Sequence, residues 1–71
     1  MRTYAESILK DALSTNDAIK IKDALTSLYS GCSFFVTKNH INITYKNGSI
    51  YKIPRDYTAE DIIKAITQNS E

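Results

Sequence analysis

The segment from Cys32 to Ile53 most narrowly limits what this chain of 71 residues can become. Cys32, Phe34 and Val36 alternate with Ser33, Phe35 and Thr37, and Ile41, Ile43 and Tyr45 alternate with His40, Asn42 and Thr44. Lys46-Asn47-Gly48 follows, then Ser49 to Ile53. A period of two is strand spacing, because successive strand side chains point to opposite faces. Two turns divide the runs, so the expectation is three strands in a meander, at about 32–37, 40–45 and 49–53.

Burial selects the register. A two-residue Asn47-Gly48 turn sets Tyr45 against Ile50 and Ile43 against Lys52, which puts a lysine on the apolar face. A three-residue loop, with Gly48 in the left-handed position of a bulge, sets Ile43 against Tyr51 and Ile41 against Ile53. A slip of one residue turns every side chain to the other face, so the second register is expected. A two-residue Lys38-Asn39 turn then pairs Val36 with Ile41 and Phe34 with Ile43. The resulting core face reads Cys32, Phe34, Val36, Ile41, Ile43, Tyr45, Tyr51 and Ile53. Pro54 is expected to end the third strand by removing a ladder donor.

Helical spacing flanks the strands. Ala5, Ile8, Leu9, Ala12 and Leu13 form one apolar stripe behind a Thr3/Glu6 capping box, giving a helix over about 4–13. Ser14-Thr15-Asn16 breaks the pattern with good N-cap residues. Ala18, Ile21, Ala24, Leu25 and Leu28 form a second stripe, over about 17–30, with Asp17 suited to the helix dipole and Gly31 to a left-handed end. So short a link implies an antiparallel helical hairpin. A last helix, over about 59–68, starts from Thr58 with Asp61 as capping partner and Tyr57 and Ile62 as a hydrophobic staple; its stripe is Ala59, Ile62, Ile63 and Ile66. The fold class is therefore α+β, a single domain over 1–71 in the order α-α-β-β-β-α, with helices covering one face of an antiparallel meander and a loose end over 68–71.

Composition excludes several functional classes. With 42% hydrophobic and 24% charged residues, the chain has the balance of a folded domain and not that of a disordered one. No apolar run approaches the roughly 20 residues of a membrane span, and the first residues lack the apolar core of a signal peptide. A single cysteine, Cys32, fits a reducing compartment, so a cytoplasmic protein is expected. The net charge of +1 is uneven: residues 32–58 carry Lys38, Lys46, Lys52 and Arg55 against Asp56 alone, which is basic but short of a nucleic-acid footprint.

No residue set has the pattern of a catalytic, cofactor or metal site. Cys32 falls on the core face with nothing beside it to activate a thiol, and His40, at a hairpin tip on the other face, has no companion ligands. Glu60 and Asp61 suit a helix's first turn, and the lone Gly48 lies between strands, away from any helix N-terminus that would bind phosphate. Asn42-Ile43-Thr44 and Asn47-Gly48-Ser49 match a glycosylation triplet by chance. No cofactor, metal or enzymatic activity is expected.

The face opposite the core carries Ser33, Phe35, Thr37, His40, Asn42, Thr44, Ile50 and Lys52. Phe35 and Ile50 have no evident cover there, which suggests a partner-binding patch of Phe35, Ile50, Lys52, His40 and Lys38, apolar at its centre with a basic rim. Open sheet edges would also admit a partner strand. Motif-poor single domains of this size are frequent among phage-encoded inhibitors of host defence, anti-CRISPR proteins included. On that analogy of size and style, the expected partner is a larger host protein whose surface the chain occupies. The alternative is a small nucleic-acid-binding or regulatory protein using the basic outer face, and a homodimer through the same face is a third arrangement.

Overall fold

The structure is a computed structural model that describes residues 3–69, and the side chains of residues 4–68. Six elements follow in the expected order: α1 (Thr3–Thr15), α2 (Ala18–Leu28), β1 (Ser33–Val36), β2 (His40–Thr44), β3 (Ile50–Pro54) and α3 (Ala59–Asn69). The class is α+β, with one antiparallel sheet of order β1-β2-β3. The extents of 30 × 30 × 18 Å fit two layers, helices beneath a sheet.

Where α1 ends and α2 begins differs from the sequence expectation. Residues 14 and 15 stay helical, because the Ser14 and Thr15 hydroxyls each donate to the carbonyl three residues back, Asp11 and Ala12, at 2.6 Å. Asn16 then turns left-handed at φ 55, which asparagine tolerates, and Asp17 caps α2 by accepting from the Ile19 and Lys20 amides. At the other end α2 stops at Leu28, with Tyr29 as its cap. Gly31 is therefore not the left-handed terminator: among the described residues the only glycine with positive φ is Gly48. The Thr3 side chain of the expected capping box lies outside the described residues, as do Ser70 and Glu71 of the expected loose end; Gln68 belongs to α3.

Both hairpins take the register that burial selects. Phe34 pairs with Ile43 and Val36 with Ile41; Ile41 pairs with Ile53 and Ile43 with Tyr51. The Thr37 amide donates to the His40 carbonyl at 2.8 Å, closing the two-residue Lys38-Asn39 loop. Gly48, at φ +93, donates to the Tyr45 carbonyl, and the Tyr45 amide donates to the Ser49 carbonyl, the expected bulged loop. Pro54 is the last residue of β3, as expected, but a lost ladder donor is not the cause. The Arg55 amide donates to the Asn39 carbonyl at 3.0 Å, so the ladder continues beyond the proline. Ladder bonds alternate along an antiparallel pair, and this alternation turns the backbone nitrogen of Pro54 to the outer edge, where no donor is missed.

The core gathers Leu9, Ile21, Leu25, Ile41, Ile43, Ile53, Ile62 and Ile66, all essentially inaccessible, with Phe34 and Tyr45 beside them. At the start of α3 the Asp61 amide donates to the Thr58 hydroxyl, as an N-cap requires. Of the expected core face, Tyr51 departs: it points inward yet remains 38% exposed. α2 packs on β1 and α3 on β3, and Tyr51 lies at the start of β3, where the helical layer covers it incompletely. Tyr57 is also largely exposed, while Ile62, its expected staple partner, is buried.

Candidate functional site

The register arranges the helix-free face as three rows across the strands. Ser33, Thr44 and Ile50 form one row; Phe35, Asn42 and Lys52 the next; and Thr37, His40 and Pro54 the third. Phe35 is 66% and Ile50 72% exposed, and Lys52 and Lys38 are exposed, whereas His40 is half-buried. Phe35 and Ile50 occupy opposite edge strands in adjacent rows. Strand spacing and rise put them about 12 Å apart, with Asn42 and Thr44 between, so they form two apolar contacts on a polar ground. Such a pair offers a large partner two anchor points.

Both outer strands present free backbone groups. The ladder's alternation directs the amide and carbonyl groups of Phe34 and Val36 away from the sheet on one side, and those of Ile50 and Lys52 on the other. The Phe34 edge is nearly covered, but Ile50, Tyr51 and Lys52 are three successive exposed residues, so the β3 edge is the accessible one.

At the end of the sheet where Lys38 and His40 lie, Arg55 makes the connection that the sequence reading missed. Its Nη1 donates to the Thr37 carbonyl at 2.7 Å and its Nη2 to the Asn16 Oδ1 at 2.8 Å. One side chain thereby ties the tip of the β1–β2 hairpin to the α1–α2 link. The register carried two residues further sets Asn39 opposite Arg55 and so places Arg55 at the hairpin tip, but its partner Asn16 lies in the helical layer, which the register does not reach.

The tyrosine and cysteine environments are structural. Tyr45 Oη donates to the Ile66 carbonyl at 3.1 Å, satisfying a last-turn carbonyl of α3. Burial, and then the neighbouring Cys32, push the Tyr45 hydroxyl above its ordinary range, and the same two causes raise Tyr29. Cys32 is half-buried against the core, less enclosed than its place on the core face implied. Among the described residues no group of three or more histidine, cysteine or carboxylate side chains is placed to hold a metal, and no helix is long and apolar enough to cross a membrane.

Comparison of the chain with family models, with curated proteins and with solved structures returns no match.

Proposed function

We propose that the chain is a non-enzymatic protein-binding module that occupies part of the surface of a larger protein. Its contact is the helix-free sheet face: Phe35 and Ile50 as apolar anchors, Lys52 in the row of Phe35, and Lys38 and His40 at the basic end. The observation that carries this reading is the exposure of both anchors, 66% and 72%, on a face that no element among the described residues covers. An apolar side chain of this size gains roughly 1.5–3 kcal/mol when fully buried, so two anchors supply a useful share of a binding energy. An inhibitor of a host defence protein, of the kind phages encode, is the narrower form of the proposal and rests on size and motif-poverty alone.

Capture from a lysate of the source cell, with and without nuclease and at low and high salt, tests it. The expected result is a stoichiometric protein that survives nuclease and high salt and is lost with Phe35→Ala. Recovery that vanishes with nuclease, and whose affinity falls steeply with salt, would transfer the face to nucleic acid. Recovery of the chain alone, with a mass that depends on concentration and falls to monomer with Ile50→Asp, would make it a homodimer surface.

A further inference from the structure

Beside the sheet face, at the Lys38-Asn39 hairpin tip, lies an open cleft of about 500 Å³. That is within the roughly 300–1,000 Å³ of small-molecule sites. Asn16, Lys38, Asn39, His40, Arg55 and Asp56 line it. We propose that this cleft binds a small multivalent oxyanion of the phosphate class, held between the Lys38 ammonium and the Arg55 guanidinium, with the His40 ring as a further donor.

The donor inventory favours an acceptor ligand. A guanidinium has five N–H groups in a planar fork, and the bonds from Arg55 to Thr37 and Asn16 leave others for a further acceptor. The same bonds hold the side chain in place, so ligand binding does not have to order it. Among the described residues no ion pair joins Lys38 or Arg55 to a carboxylate. His40 adds one N–H when neutral and two when protonated. Against these stands one acidic side chain, the exposed carboxylate of Asp56. Asp17, next to Asn16 in the chain, spends its carboxylate on the α2 amides of Ile19 and Lys20. Two cations with forked and rotating donors suit an anion of charge two better than a single carboxylate.

The inference stands apart from the protein-binding proposal, since its probes are small ions and its readout needs no partner. Backbone amide spectra of the intact chain would be titrated with inorganic phosphate and sulfate, and with acetate and chloride at matched ionic strength. The expected result is saturable movement of Lys38, Asn39, His40 and Arg55 with phosphate and sulfate, and little with acetate or chloride. Lys38→Ala, at an exposed position, is expected to weaken phosphate about tenfold, the loss of one charge-assisted contact. Asp56→Asn is expected to tighten it by about threefold, a gain that a merely structural role would not produce. Equal responses to chloride and phosphate, or a phosphate affinity unchanged in both variants, would overturn the proposal. Glycerol 3-phosphate as a further probe separates a free phosphate from a phosphate ester: tighter binding of the ester assigns the site to the ester, and equal binding assigns it to the bare ion.

Discussion

Tyr45 belongs to the core by its place in the strand and to α3 by its hydroxyl. Tyr45→Phe removes the bond to the Ile66 carbonyl and nothing of the ring, so a loss of about 1 kcal/mol is expected, read as a fall in melting temperature of about 4–8 °C. Tyr45 and Tyr29 also set an alkaline limit. Their hydroxyls are raised above the ordinary 10.0, so the folded state holds protons that the unfolded chain releases. The stability they contribute is complete below about pH 10 and declines as pH rises through the folded values. Chemical denaturation between pH 8 and 11 is expected to show this decline, and Tyr45→Phe to make it shallower. Arg55 is the other residue whose role is specific. Arg55→Ala is expected to lower stability by about 1–2 kcal/mol, measured as a lower urea midpoint with an unchanged slope, because its bonds to two distant segments are lost. Tyr45 was legible as a core residue from alternation alone, whereas its hydroxyl partner depended on where α3 ends. Arg55 was read as a charge because its partners are 18 and 39 residues away.

At the scale of elements, the β-meander was the most legible part of the molecule. A wrong register would have buried Lys52, and that single conflict was enough to choose a bulged loop for Gly48. Gly48→Ala tests the choice. Open space surrounds a Cβ at this position, so the cost comes from the backbone at φ +93, and about 1–2 kcal/mol is expected. Gly31→Ala is the contrast: its φ is not left-handed and its surroundings are equally open, so urea unfolding should show no loss. Equal losses at the two glycines would contradict the assigned loop. The helix ends were less legible, because serine, threonine and asparagine serve either to extend a helix by back-bonding or to cap the next one. Only the three-dimensional path shows that Ser14 and Thr15 do the first, Asn16 terminates and Asp17 caps. Pro54 does close β3, but not for the expected reason. A proline removes a ladder donor only if its nitrogen faces a neighbouring strand, and here it faces the open edge.

At the scale of the whole molecule, the three helices lie on one face of the three-stranded sheet, and among the described residues nothing covers the other. The alternation of residues foretold which side chains lie on the bare face, and the exposure of Phe35 and Ile50 follows from that arrangement. With the chosen register it also implied that Asn42 and Thr44 part them, but not that Tyr51 stays half-open beneath β3. The proposed contact belongs to this face and not to exposed apolar surface in general. Ile19 on α2, 71% exposed, matches Ile50 at 72% and lies in the helical layer. Paired capture of the partner with Ile50→Asp and Ile19→Asp, each with the circular dichroism of the parent chain, is therefore the most direct test. Loss of the partner with Ile50→Asp and its full retention with Ile19→Asp is the predicted result. Retention with Ile50→Asp, or loss with Ile19→Asp alone, would contradict the assignment of the sheet face.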